Sequence, residues 1–185
     1  MSKIGLYGGS FDPIHKGHIK AALTALNKAG LDKIIFLPSG ISPHKASLKG
    51  DKYHRYNMVK IGIQDEKNFL ISDYETKKTR RCFSYETVIE FKKFYSNDEL
   101  YFVIGDDEYE SFNTWYKSNE LLELCKFLVI TRSGVEINPP FIGICMEPCD
   151  ISSTEIRQGI KENRDVSDML PFGVYEYILK HNLYK

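Results

Sequence analysis

Two short segments hold the residue types that could do chemistry. The first runs Gly8-Gly9-Ser10-Phe11-Asp12-Pro13-Ile14-His15-Lys16-Gly17-His18. It follows an apolar run and opens an amphipathic one, so its two glycines fall where a strand turns, and they let the backbone approach a ligand closely. His15 and His18 are three apart at a helix start and share one face. Unpaired N–H groups and the positive dipole end at that start suit phosphate. Gly17 is expected to leave room for a bulky polyphosphate. A lone H-x-x-H reads as readily as two surface histidines; its place between a strand-Gly-Gly turn and a helix favours the phosphate site. The second segment, Ile151-Ser152-Ser153-Thr154-Glu155-Ile156-Arg157, lies about 135 residues further on. Ser152 and Glu155 have capping-box spacing. Ser153 and Arg157 are four apart on one helical face, where a hydroxyl and a guanidinium would form a second phosphate cradle.

The elements that must position these segments follow from periodicity. Lys3–Tyr7 reads as a buried strand ending at Gly8-Gly9, and residues 15–29 as a helix with Ile19, Ala22, Leu23 and Leu26 on one side, closed by Gly30. Strands are expected at 32–37, 69–72, 99–104, 126–131 and 142–146, and helices at 53–64, 84–95, 118–124, 153–161 and 174–181. Alternation of strand and helix predicts an α/β, doubly wound parallel sheet with helices on both faces. Such sheets bind ligands beyond the carboxyl ends of their strands, where both segments would lie. No repeat or linker divides residues 1–185, so one domain is expected, with a short helical subregion from about residue 152.

Gly-Gly-Ser-Phe-Asp-Pro-Ile-His-Lys-Gly-His resembles the signature of the HxGH nucleotidyltransferase superfamily, and Ile151–Arg157 resembles its second element. Three further segments are similar to those of the bacterial nicotinate-mononucleotide adenylyltransferases: Pro38-Ser39-Gly40-Ile41-Ser42-Pro43-His44-Lys45, Gly105-Asp106-Asp107 followed by Trp115, and Thr131-Arg132-Ser133-Gly134. The resemblance implies a Rossmann-like fold of nucleotidyltransferase type. It also implies adenylyl transfer from ATP to nicotinate mononucleotide, giving nicotinate adenine dinucleotide and pyrophosphate in NAD biosynthesis. ATP contacts are implied for Gly8, Gly9, Ser10, Phe11, His15, His18, Gly105, Asp107, Ile151, Ser152, Ser153 and Arg157. The mononucleotide would meet His44, Lys45, Tyr85, Thr87 and Trp115, and catalysis would fall to His15, His18, Lys45 and Arg157. A tryptophan can equally be core filler, but the polar flanks of Trp115 favour a site edge.

One segment departs from the family's Ser-Tyr-Thr: here the chain reads Ser84-Tyr85-Glu86-Thr87. Either Glu86 replaces the threonine, or Thr87 serves after an insertion. A glutamate beside a nicotinate carboxylate would repel it, which leaves the acid-versus-amide preference open. An acceptor phosphate needs no general base, so catalysis would be positioning plus charge stabilisation. Mg2+ would be carried by ATP, with no protein metal site, and Asp12 reads as a turn residue. Rival readings are another adenylyltransferase of the superfamily, with nicotinamide mononucleotide or phosphopantetheine as acceptor, or a non-catalytic nucleotide sensor.

Composition narrows the classes further. Lys plus Arg equal Asp plus Glu at 25 each, so there is no basic excess to track nucleic acid or a membrane surface. No apolar run approaches a membrane span, and residues 1–10 lack the apolar core of a secretory signal. Four unevenly spaced cysteines (Cys82, Cys125, Cys145 and Cys149) fit a reducing compartment, and a cytoplasmic location is expected. Pro148 makes Cys145 and Cys149 a poor metal pair. Small-molecule substrates are the expected partners, and a homo-oligomer is compatible with the sequence.

Overall fold

The computed structural model describes residues 1–41, 49–131 and 136–185. Six β-branched and aromatic-rich strands form one parallel sheet in the order β3-β2-β1-β4-β5-β6. These are β1 Lys3–Gly9, β2 Lys33–Pro38, β3 Phe69–Ile71, β4 Glu99–Gly105, β5 Lys126–Thr131 and β6 Ile142–Cys145. β1 sits at the centre, with Leu6 in register with Ile35 on one side and Phe102 on the other. The strand order reverses there, which opens a crevice between the carboxyl ends of β1 and β4.

Successive side chains of a strand point to opposite faces, and each face has its own core. Tyr7, Phe36, Val103, Leu128 and Ile130 pack beneath the helices α1 Lys16–Lys28, α2 Lys52–Gly62, α6 Ser153–Lys161 and α7 Val174–Lys180. Leu6, Leu37, Phe102, Ile104 and Val129 pack beneath α3 Ser84–Phe94 and α5 Ser118–Leu124. Buried Ala21, Ala22 and Ala25 are small enough to bring α1 close to the sheet. The fold is the doubly wound sheet that the alternation predicts.

Local chemistry sets the helix ends. Asp51 caps α2 by accepting from the Tyr53 N–H at 2.8 Å, and Ser152 caps α6 by accepting from the Glu155 N–H at 3.1 Å. Gly30, at φ +61°, turns the chain out of α1, a left-handed conformation glycine adopts without strain. One helix falls outside the periodicity reading: α4, Asp106–Ser111, follows β4 directly. Its run Asp106-Asp107-Glu108 looks like a loop, yet carboxylates are favourable in a helix's first turn, and Glu108 accepts from the Gly105 N–H at 3.0 Å.

Arg55 holds the carboxyl edge of the sheet together. It lies on the α2 face that carries Met58 and Val59 and is 1% exposed. Its guanidinium donates to the carbonyls of Ser10, Ser39, Gly40 and Gly50 at 2.6, 2.6, 3.0 and 3.2 Å, and so ties the ends of β1 and β2 to the turn before α2. Burial pulls its pKa below the usual arginine range, and the field of Asp12 pulls it back up. A lysine offers three donors from one point and cannot reproduce that planar fork. Arg55→Lys should therefore cost about 2–4 kcal/mol of stability, read as a lower denaturant midpoint at unchanged slope. A loss under about 0.5 kcal/mol, the range of an ordinary surface change, would remove Arg55 from this role.

Candidate functional site

A cleft of about 330 Å3 opens at the crevice between β1 and β4. Tyr7 of β1, Ile104 and Gly105 of β4 and Ile130 of β5 form its floor; His15, Gly17 and His18 at the start of α1 form one wall, and Ile151, Ser152, Ser153 and Thr154 at the start of α6 the other. Two roomier hollows, of about 650 and 530 Å3, lie over α2 and β3 and beside α1. The smaller cleft is the one where the two sequence-predicted segments converge, and it lies where doubly wound sheets take their ligands.

His15 stands in extended backbone just before α1, and its ring stacks on that of His18 with centroids 3.7 Å apart. The His15 backbone N–H donates to His18 Nδ1 at 3.2 Å. A ring nitrogen that accepts cannot carry the proton, so in the neutral ring His18 holds it on Nε2, as a donor. Phe11 packs edge-on against the His18 ring at 5.1 Å and fixes its plane.

The glycines of the signature serve internal packing more than ligand access. A Cβ on Gly17 would stand 2.9 Å from His15 Nδ1, so the glycine gives the His15 ring its place while itself lining the cleft. A Cβ on Gly9 would stand 2.7 Å from the Phe11 ring, and one on Gly8 would be 3.3 Å from Phe102. Both glycines belong to β1, which runs two residues past its expected end. Phe11 is 1% exposed at φ +46°, and the Ser10 carbonyl is held by Arg55.

Ser153 and Arg157 do share one face of α6, and they use it to grip the signature loop. The Ser153 hydroxyl donates to the Pro13 carbonyl at 2.9 Å, and Arg157 donates to the Asp12 carbonyl at 2.7 Å and the Thr154 hydroxyl at 3.1 Å. Asp12 is more than a turn residue. It is 3% exposed, and its carboxylate accepts from the Lys49 N–H at 2.8 Å, the Gly50 N–H at 2.9 Å and the Tyr184 hydroxyl at 2.7 Å. Gly105 caps α4, with Asp107 beside it on the cleft.

On the acceptor side, His44 and Lys45 lie outside the described residues, as do Arg132, Ser133 and Gly134. Trp115 packs against Phe102 and Phe112, with centroids 6.1 and 5.4 Å away, on the rim of the second core and outside the cleft lining. Tyr85 meets Tyr116 edge-on at 6.0 Å, with the Lys117 ammonium 4.5 Å from the Tyr85 ring centre. Thr87 is fully buried, and its hydroxyl donates to Glu75 Oε1 at 2.8 Å. Glu86 sits in the first turn of α3, where its carboxylate accepts from Arg80 at 2.9 Å and from the Phe83 N–H at 3.4 Å. The hydrogen bond from Arg80 holds its pKa below the usual carboxylate range.

Sequence reasoning missed Arg55, Glu75, Thr154 and Tyr184. Arg55 alone left a periodic signal, a charge three and four residues before Met58 and Val59 on an apolar face.

Comparison with known proteins finds relatives along the whole chain. A family model described as cytidylyltransferase-like matches residues 6–159. A probable nicotinate-nucleotide adenylyltransferase of Clostridium tetani is 40% identical and the nicotinate-nucleotide adenylyltransferase of Bacillus subtilis 36% identical, each alignment covering 100% of both chains. Among solved structures, the Plasmodium falciparum nicotinic acid mononucleotide adenylyltransferase complexed with APC superposes with a TM-score of 0.83 at 25% identity, covering 100% of this chain and 98% of that one. The same enzyme complexed with NaAD gives 0.82 with the same identity and coverage.

The Glu75 carboxyl yields a pH prediction. Burial raises its pKa to about 7, against the opposing hydrogen bond from Thr87 and the fields of Lys78 and Arg55. A pKa raised by folding means stability that is intact below the unfolded value near 4.5 and declines as pH climbs to about 7. Glu75→Gln keeps an acceptor for Thr87 and removes the titration. It should match the wild type at about pH 4 and exceed it by about 2–3 kcal/mol at about pH 8. Equal pH dependence of the two proteins in denaturant titrations would overturn the assignment.

Proposed function

This chain belongs to the nicotinate-nucleotide adenylyltransferase family of cytidylyltransferase-like proteins, and from that premise we infer that it transfers the adenylyl group of ATP to nicotinate mononucleotide in NAD biosynthesis. The observation that carries the reading is the stacked His15–His18 pair at the start of α1, facing the start of α6 across a cleft at the sheet's switch point.

The acceptor's phosphate oxygen attacks the α-phosphorus of ATP, the α–β bridging bond breaks, and pyrophosphate departs with that electron pair. The acceptor phosphate is ionised at neutral pH, so no base is needed. The chain's work is to hold the two phosphates in line and to stabilise the charge that develops. We assign His18 Nε2–H as a donor to the phosphates, with the α1 N-terminus behind it. His15 supports that ring by stacking and through its backbone N–H, and adds a second imidazole to the cleft wall. Lys45 and Arg157 supply fixed positive charge in this reading, and Gly105 and Asp107 flank the adenosine. Mg2+ arrives on the triphosphate, as is usual for an ion held largely by substrate phosphates and water.

One observation removes the objection to nicotinate that the Glu86 departure raised. The Glu86 charge is engaged by Arg80 and the Phe83 N–H, so it need not oppose a carboxylate at the start of α3. The cellular setting rests on separate grounds. The four cysteines are free, and no described helix is long and apolar enough to cross a membrane, which supports a cytoplasmic location.

Parallel assays of pyrophosphate release with ATP and either mononucleotide test the substrate; faster turnover of the nicotinate form is expected, and equal rates would refute the preference. His18→Ala should lower kcat by about two orders of magnitude or more, the scale of losing one key charge-stabilising donor. Near-normal turnover in that variant would sink the role given to His18.

A further inference from the structure

Tyr184 is 9% exposed and 172 positions from Asp12, yet its hydroxyl donates to Asp12 Oδ1 at 2.7 Å. The same oxygen accepts from the Gly50 N–H at 2.9 Å, and Oδ2 accepts from the Lys49 N–H at 2.8 Å. The junction is tightly filled, since a Cβ on Gly50 would stand 2.7 Å from both Asp12 Oδ1 and the Tyr184 hydroxyl. Tyr184 has φ +67°, a left-handed backbone that a tyrosine adopts only where its surroundings over-determine it. Three residues beyond Asp12 stands His15, and Lys49-Gly50 directly follows the segment that contains His44 and Lys45.

We propose that Tyr184 is a positioning residue for phosphate handling: through the Asp12 carboxylate, its hydroxyl sets the spacing between the loop carrying His15 and His18 and the Lys49–Gly50 turn. The proposal rests on the adenylyl-transfer reading for its kinetic effect and on the cleft alone for its effect on ATP binding. Both Asp12 oxygens bond the Lys49–Gly50 turn, and Oδ1 also holds the Tyr184 hydroxyl. Losing the phenol hydroxyl leaves Oδ1 with the Gly50 N–H and a gap on the side where that hydroxyl stood. With one of its three donors gone the Asp12 carboxylate can tilt and carry the loop with it, and misplacing catalytic groups by even about 1 Å is costly to rate.

The test is Tyr184→Phe, with Tyr53→Phe as a control at a tyrosine that is 58% exposed. The Tyr184→Phe protein should keep KM for nicotinate mononucleotide within about two-fold, lose about ten-fold in kcat, and bind ATP several-fold more weakly by calorimetry. Its melting temperature should stay above the assay temperature, so the loss belongs to folded molecules. The split between kcat and KM is the readout that a purely structural role would not move, and a double-mutant cycle with Asp12→Asn tests the route: if Tyr184 acts through Asp12, the double variant is no slower than Asp12→Asn alone. Losses that multiply, or a Tyr184→Phe protein with wild-type kcat and ATP affinity, overturn the proposal. Wild-type protein that binds ATP and forms no dinucleotide would instead sink the functional reading, and the ATP affinities would still decide the role of Tyr184.

Discussion

A buried arginine facing a buried aspartate is the constraint on which the site depends. Doubly wound sheets leave several loops at their carboxyl edge, each with backbone carbonyls and N–H groups that no strand satisfies. Arg55 supplies donors to the carbonyls of Ser10, Ser39, Gly40 and Gly50, while Asp12 supplies acceptors to the N–H groups of Lys49 and Gly50. Each would be costly to bury alone, and each sits in the other's field. The pair converts loose loop ends into a rigid base. The histidine-bearing segment springs from that base, and α6 clamps it through Ser153 and Arg157.

This division of labour changes the meaning of the charged residues around the cleft. Arg157 reads, by type and spacing, as a phosphate ligand, and in the fold it spends donors on the Asp12 carbonyl and Thr154. It places positive charge near the cleft while anchored to backbone, so that charge is held fixed before substrate arrives. Electrostatic catalysis depends on such preorganisation, because dipoles and charges already in place need not reorient as the transition state forms. Zero net charge over the whole chain is compatible with this, since a whole-chain sum says nothing of where one guanidinium is anchored.

Much of the architecture was legible because period-two and period-3.6 patterns are local. The His15–His18 spacing marked a helix start, and the Ser152–Glu155 spacing marked another; both stand where expected. What was not legible depends on contacts between distant segments. Gly17 is small to admit the His15 ring, a reason visible only once that ring's direction is known. Thr87 and Glu86 looked interchangeable as ligand contacts, and the helix start at Ser84 separates them: it buries Thr87 against Glu75 and leaves Glu86 to Arg80. Trp115 had polar neighbours in sequence and aromatic ones in space. α4 was hidden because an apolar period needs several turns to show, and this helix has six residues.

The 172-residue separation of Asp12 and Tyr184 bears on how the chain comes to be active. A parallel sheet has only non-local strand pairings, and each requires a loop to be closed before its contacts repay the lost entropy. The cleft gathers β1, β4 and β5 with the starts of α1 and α6, so no short early fragment of the folding chain contains it. Nucleotide would then bind the finished fold and ignore its precursors, which makes substrate a selective stabiliser of the native state by mass action. In a cell rich in ATP, the enzyme's own substrate becomes part of what keeps it folded.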